Sequence, residues 1–495
     1  MSVPETAPAA PDLSLRSRMI RWGVVLLAGF GVWLLPQPAG VDAAGWRLLA
    51  IFVATVVGLI AQPAPMGVMV LLAISVSAMT KTVTPEVALS AFANPTIWLI
   101  VAAFLFSRSV VHTGLGRRIA FLFIRWLGTS SLRLGYALAG ADLVVAPFIP
   151  SDTARAGGII FPIARSLAEG YDSRPGPTAQ RLGAYLMQCA YHVGCLTAAI
   201  FLTSMVANPL SAKFARELAG VDITWLTWIK ASIVPAAISL ALVPWLVYRL
   251  DPPELRRTPE ARCIAEKELT EMGRVKAIEW RLIAVLLTVI AGWVAHGWHG
   301  LHPAIIAYGG VCLLVLLGVI QWEDVLGERR AWDALIWFGG LVMMAGGLNN
   351  AGVIKAFTDA LSRAMKSAGW ATVDLPAGLP AWVLALGILI VAYTFIHYGF
   401  ASMTAHITAL YPAFLLLAMA NQVPPLVAAL ALAFFSNLNA SLTHYGTGPA
   451  PIFFGSGYVK QTTWWRVGFF VVLTHLLVWL GLGLVWWRVL GLWSA

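Results

Sequence analysis

Charge is what this chain has least of. Only 11% of its 495 residues are Asp, Glu, Lys or Arg, against about 25% in soluble domains. So little charge cannot cover a water-facing surface of this size, which excludes a soluble enzyme, a nucleic-acid binder and a disordered chain. Cysteine is also scarce. Cys189, Cys195, Cys263 and Cys312 are the only four, and none stands in a CxxC pair. Neither a zinc site nor a disulfide framework is indicated. No HExxH, no GxSxG between strand and helix, no P-loop and no facing carboxylate pair occurs, so no enzyme and no cofactor is expected. The net charge of +10 is spread over short loops without a basic stripe. It is an orientation signal, and no nucleic-acid partner is expected.

Apolar runs fill the rest, at 59% hydrophobic residues. A bilayer span takes about 20 residues. Residues 1–18 read as a cytoplasmic tail, and 19–43 as an extra first span retained behind Arg16, Arg18 and Arg21 rather than a cleaved signal. Further spans are expected at roughly 44–61, 66–80, 94–113, 184–210, 224–248, 281–298, 303–320, 333–349, 423–457 and 464–490. With the N-terminus inside, most of the 33 basic residues also fall inside, including the charged linker 251–280. That asymmetry fits eleven full spans with the C-terminus outside. The 22 tryptophans are expected at the membrane interfaces.

The two sides of the linker resemble each other. Asn94-Pro-Thr-Ile-Trp98 leads to Gly114, and Asp333-Ala-Leu-Ile-Trp337 leads to Gly352, at nearly the same offset. Amphipathic helix candidates follow at 115–127 and 353–366. Then come apolar stretches, about 134–166 and about 380–419, each broken by a polar triplet: Ser151-Asp152-Thr153 after Pro150, and Ser402-Met403-Thr404. Arms of about 15 residues are too short to span, so each stretch should form a re-entrant hairpin. Two later spans carry helix-breaking runs, Thr203 to Pro209 through Asn208, and Thr443 to Pro451 through His444, Gly446, Thr447, Gly448 and Pro449. These residues, with Pro150 and Met403, are expected in unwound backbone. An odd number of crossings separates the matching elements. Residues 44–250 and 281–495 are therefore expected to be inverted repeats, the signature of a secondary transporter with its site at the breaks.

The chemistry at the breaks favours an anion. Ser151 or Asp152, and Ser402, can cap helix starts whose free amides and dipoles present partial positive charge. Two such ends suit a guest with two separated negative groups, with Ser151, Thr153, Ser402 and Thr404 as hydroxyl donors. Arg155 stays charged and can grip a carboxylate bidentately, or it can pair with Asp152 three residues before it. His192, His397, His406 and His444 lie in or beside these segments, each also able to act as a packing residue. His444 is favoured because it falls in the expected unwound run. Arg108 reads as structural. His296, His299 and His302 form an outer-loop triplet rather than a metal site.

At these residues the sequence resembles the divalent anion:sodium symporter family, in the branch of citrate, tartrate and succinate carriers and 2-oxoglutarate/malate translocators. The matching stretches run from Asn94-Pro-Thr-Ile-Trp98 through Pro150–Gly158, Met205–Leu210 and Ser402–His406 to Ser436–Pro451 and Phe454–Tyr458. The resemblance implies an all-α polytopic protein of about eleven transmembrane helices with two re-entrant hairpins, a homodimeric scaffold and elevator-like movement. It implies a bacterial inner-membrane carrier of small anionic di- or tricarboxylates. It places the substrate site at Ser151, Asp152, Thr153, Arg155, Thr203, Asn208, Ser402, Thr404, His444 and Thr447. The family's hairpin motifs are Ser-Asn-Thr, and both asparagines are replaced here. Met403 has no oxygen for sodium, while Asp152 could bind sodium with Ser151, carry a proton or neutralise Arg155. Fixed positive charge at Arg155 and His444 would make the empty carrier return poorly, so anion exchange is expected over sodium or sulfate symport.

Overall fold

The computed structural model describes residues 15–38, 40–353, 356–357, 360, 363 and 380–494. The tail 1–14 and most of the amphipathic candidate 353–366 lie outside the described residues. Among the described residues all regular structure is helical, apart from one isolated bridge between Ser130 and Arg257. Among the described residues ten helices are long and apolar enough to cross a membrane, and Met66–Met79 and Pro303–Leu316 are shorter apolar helices. Helix is what an apolar solvent demands, because every backbone amide must find its partner within the segment. The chain is a multi-pass helical membrane protein, and every expected span contains a helix. Ala277–Val294 starts four residues before its expected position and ends before the turn that carries His296.

The described residues fall into two compact units, with the helix Arg329–Asn350 running from one into the other. The smaller holds Leu15–Leu34, Ala43–Ala61, Met66–Met79 and the later part of that shared helix. Its packing rests on small residues that let backbones approach. A Cβ on Gly29 would stand 2.9 Å from that of Ala54, and one on Gly340 would stand 2.2 Å from a Val70 methyl. Leu27 and Leu34 on Leu15–Leu34 are each 76% exposed, a lipid-facing surface.

The larger unit is built around two helices that are buried all round. Every residue of Gly183–Ile200 except Gly194 is buried, and so is every residue of Pro425–Leu438 except Pro425. Helices apolar on every face belong at the centre of a bundle. Four tryptophans, Trp228, Trp464, Trp479 and Trp487, are fully buried here. Trp228 donates to Ala199 O at 2.9 Å, Trp487 to Ala231 O at 2.9 Å and Trp479 to Ser239 Oγ at 3.1 Å. Trp228, Trp479 and Trp487 tie helix to helix inside the protein, so for these buried side chains the expectation of an interfacial position is corrected. A buried indole needs a partner for its N–H; backbone carbonyls supply it for Trp228 and Trp487 and a serine hydroxyl for Trp479.

Both broken apolar stretches fold back on themselves. In the first, Ser131–Val145 and the 3₁₀ turn Ala146–Phe148 lead to extended backbone. Asp152–Arg155, a π turn Ala156–Ile160 and Phe161–Gly170 then return. In the second, Ala381–Ile396 and the 3₁₀ turn His397–Gly399 lead to Met403–Ala420. Tyr393 on one arm meets Phe414 on the other at 5.1 Å between ring centroids. Both later spans are interrupted as well, between Ile200 and Ala207 and between Leu438 and Pro449, the latter beginning with the 3₁₀ turn Asn439–Leu442.

Candidate functional site: two hairpin tips on one unwound segment

The two tips adopt the same local solution. Each has a 3₁₀ turn, a residue or more of extended backbone, and a serine that caps the returning helix. Ser151 Oγ accepts from Ala154 N at 3.1 Å, and Ser402 Oγ accepts from Ala405 N at 3.3 Å. Serine suits both positions because its hydroxyl satisfies an amide that the helix start leaves free. Ser151, Asp152, Thr153, Ser402 and Thr404 are all half-buried. Met403 is the first residue of its helix, with its side chain buried.

The unwound segment 443–448 lies against both tips. Thr447 Oγ1 donates to Asp152 Oδ2 at 2.7 Å, while Asp152 Oδ1 accepts from Thr153 N at 2.7 Å. Gly446 O accepts from His397 Nε2 at 3.0 Å. Glycine is required at both contacts. A Cβ on Gly448 would stand 2.1 Å from Thr153 Oγ1, and one on Gly446 would stand 2.7 Å from His397 Nε2. Pro449, Pro209 and Met403, expected in unwound backbone, instead occupy first turns of helices. Proline fits there because its fixed φ is helical and its missing N–H would have had no partner. Pro150 remains in the non-helical tip, and the first break runs over 201–206.

Arg155 is the most heavily bonded side chain of the site. It is 1% exposed, and all five of its N–H donors are used. Nε donates to Asp142 Oδ1 at 2.7 Å, and Nη1 donates to Ile149 O and Ser204 O at 3.1 Å each. Nη2 donates to Gly194 O at 3.3 Å and to Thr197 Oγ1 at 3.2 Å. Thr197 in turn donates to Asp142 Oδ2. The carboxylate partner of Arg155 is thus Asp142, not Asp152. Its charge is cancelled locally, and no donor is left over to grip a guest. The side chain fastens the first tip, through the Ile149 carbonyl, to the first break, through the Ser204 carbonyl.

The other expected residues divide. Thr203 donates to Pro147 O at 2.8 Å, bracing the first break against the first tip. Asn208 donates to Ala198 O and Phe201 O, and its own oxygen accepts from Asn437 at 2.8 Å. Both side chains are buried and bonded inward. His444 turns away from the tips. It accepts from Trp465 Nε1 at 2.9 Å and packs on Phe454. Arg108 pairs with Asp324 at 3.1 Å. In the outer triplet, the rings of His296, His299 and His302 all bond to backbone.

Asp142 and Thr197 are not among the site residues the sequence offers, and His397 and His406 are offered there singly, not as a pair. A hairpin register would have found two of these contacts. A turn centred between Phe148 and Ile149 sets 142 opposite 155, and one centred between Ala401 and Ser402 sets 397 opposite 406. A cavity of about 10 Å³ beside Asp142, Asp152, Arg155 and Tyr191 has room for about one water. Each tip abuts the segment 443–448, through Asp152 and through His397, and the cavity at the first is too small for a larger guest.

Comparison with known proteins gives a family match, two similar relatives and one similar solved structure. Residues 16–493 match the family described as the sodium:sulfate symporter transmembrane region. The chain is 45% identical over 471 residues to "Putative malate transporter YflS" of Bacillus subtilis (strain 168), across 95% of this chain and 96% of that one. It is 41% identical over 469 residues to "Dicarboxylate transporter 1, chloroplastic" of Spinacia oleracea, across 94% of this chain and 81% of that one. Among solved structures, the Alcanivorax borkumensis YdaH transporter superposes with a TM-score of 0.54 at 15% identity. The match covers 82% of this chain and 88% of that one, and is a likeness of fold alone.

Proposed function

The chain belongs to the sodium:sulfate symporter family, and from that membership and the geometry of the tips we propose that it carries di- and tricarboxylates across a membrane. Malate, 2-oxoglutarate, succinate, tartrate and citrate are the candidate cargo. The observation that carries this reading is the convergence of two serine-capped helix starts on one unwound segment. Each start offers amides and a positive dipole end to an anionic group. A guest with two separated carboxylates suits two such starts, one for each carboxylate. The hydroxyls of Ser151, Thr153, Ser402, Thr404 and Thr447 are the nearest donors. Thr203, Asn208 and Arg155 hold the first tip and the first break in place from behind.

Exchange of one anion for another is the preferred mode. Met403 presents sulfur where a hard cation would need oxygen. Both oxygens of Asp152 accept hydrogen bonds already. Without a cation to take the guest's place, an emptied pair of helix starts has no counter-charge to travel with. Arg155 does not contribute to this argument, because Asp142 cancels it. The recurring order of elements on either side of 251–280 supports two inverted repeats. We place the protein in a bacterial inner membrane as a homodimer, N-terminus inside, C-terminus outside, with the tip-bearing part moving as an elevator.

Counterflow into proteoliposomes tests the reading. Vesicles loaded with malate should take up labelled C4 to C6 di- and tricarboxylates, with or without sodium. Uptake into empty vesicles driven by a sodium gradient would replace exchange with symport. Displacement by sulfate but not by carboxylates would replace the cargo.

A further inference from the structure

The second tip holds a buried pair of imidazoles that the proposed anion site does not use. His397 and His406 are fully buried, with 2.9 Å between their Nδ1 atoms. His397 closes the first arm and His406 lies in the first turn of the second. The outer nitrogen of His397 faces Gly446 O at 3.0 Å, and the outer nitrogen of His406 has no partner. Tyr393 packs edge-on against His406 at 4.3 Å and Phe400 covers it at 5.1 Å.

The acceptor at one end fixes every proton along the pair. Gly446 O can only accept, so His397 Nε2 must carry a hydrogen. In neutral His397 the other nitrogen, Nδ1, is then a lone pair. His406 Nδ1 must supply the hydrogen between the rings, which leaves His406 Nε2 as a bare, buried lone pair. One added proton can bond there, forming an N–H and spreading one positive charge over two hydrogen-bonded rings. No other bond need break.

The surroundings decide when that proton is taken. Among the described residues no acidic or basic side chain bonds to either ring. The neighbouring titratable groups are engaged elsewhere. Tyr393 Oη bonds to Ser436 on Pro425–Leu438, Tyr445 Oη donates to Tyr398 O, and His444 accepts from Trp465. On Ala207–Ala219, which packs against the second arm through Phe214 and Tyr411, Lys213 pairs with Glu217 at 3.0 Å and Arg216 with Asp222 at 3.2 Å. A lone cation here faces burial and the positive end of the helix that begins after Ser402, and both oppose it. A dianion at the same helix start reverses the second term and offsets the first.

We infer that the His397–His406 pair is a proton site, filled when an anionic guest occupies the tips, so that each guest travels with one proton. The inference rests on the dicarboxylate reading above and deepens it. The link between the two sites is short. His397 holds Gly446, and the next residue, Thr447, holds Asp152 of the other tip. By linkage, guest affinity rises as pH falls, by up to tenfold per pH unit for one proton.

The test is proton uptake on binding. Malate is added to the purified full chain in weak buffer at about pH 7.5, where both its carboxyls are ionised, and an indicator dye reports protons. The expected result is uptake approaching one proton per malate bound, lost in His406→Gln and in His397→Gln when scaled to malate bound. Binding of malate by the wild-type chain without proton uptake overturns the inference. Uptake that persists undiminished in both variants overturns it as well. Counterflow of malate and 2-oxoglutarate is measured on the same preparation. Its absence for both guests overturns the transport reading itself, a result distinct from binding without protons.

Discussion

Removing Arg155 should damage the resting protein, not only its affinity for a guest. The side chain is 1% exposed and its Asp142 partner is also buried. Breaking a buried ion pair from one side costs about 3–5 kcal/mol, because the other charge is left uncompensated. Arg155→Ala would also remove the guanidinium donors from the carbonyls of Ile149 and Ser204. Unfolding entropy near 2 cal/mol/K per residue over 495 residues gives about 1 kcal/mol/K. The midpoint of thermal unfolding should therefore fall by roughly 3–5 °C in detergent without any guest. Asp142→Asn should be similarly harmful, since it leaves the guanidinium unpaired. The double variant Asp142→Asn/Arg155→Gln removes both charges and should recover a measurable part of the loss, as expected for residues in one network. A contrary outcome is easy to recognise. If Arg155→Ala unfolds like wild type and loses only counterflow, with Asp142→Asn benign, Arg155 is a guest ligand and the bracing role assigned to it is wrong.

Three further outcomes follow from the geometry. Gly448→Ala puts a methyl 2.1 Å from Thr153 Oγ1 and should cut counterflow at least about tenfold, given that such a clash must move backbone or tip. Gly455→Ala, with nothing within 4 Å of the added carbon, should not. Ser402→Ala removes a helix cap worth about 1 kcal/mol and should weaken guest affinity several-fold in a binding titration. Asp324 lies outside the spans. The Gln321 amide, followed by Arg108, holds its carboxyl below its ordinary value of 3.8. A lowered value means its contribution to stability is present above about pH 4 and is lost as pH falls through the lowered value. Melting curves of wild type and Asp324→Asn should therefore differ near neutrality and converge in acid.

Much of the architecture was legible because membrane solvent punishes ambiguity. A polar triplet inside an apolar stretch, as at Ser151–Thr153 and Ser402–Thr404, has few places to go, and both capped helix starts could be read from it. The runs at 201–206 and 443–448 betrayed the broken spans through residues that cannot hold a helix. Proline positions were read one step wrongly. Pro209 and Pro449 mark where helix resumes, since proline disfavours continuation from before but not propagation after. Partners were harder. The sequence offers Arg155 as a guest ligand, or else as a partner of its neighbour Asp152, whereas a hairpin brings residues equidistant from its turn together and so selects Asp142. The tryptophans were assigned to interfaces by composition, which cannot tell an indole at a headgroup from Trp228 donating to a carbonyl in the core. His397 and His406 each looked like an ordinary packing residue, and only their pairing makes them unusual.

The segment around Gly446 and Thr447 acts as a common hub for two otherwise separate arms. Asp152 grips one residue of it and His397 grips the residue before. A displacement at either arm therefore reaches the other through a single peptide unit, without crossing a helix or a lipid-facing surface. Sensitivity of this kind cannot be divided between the arms. An alteration in the hub should disturb recognition at both ends of a cargo molecule together, so long and short diacids should lose ground in equal proportion.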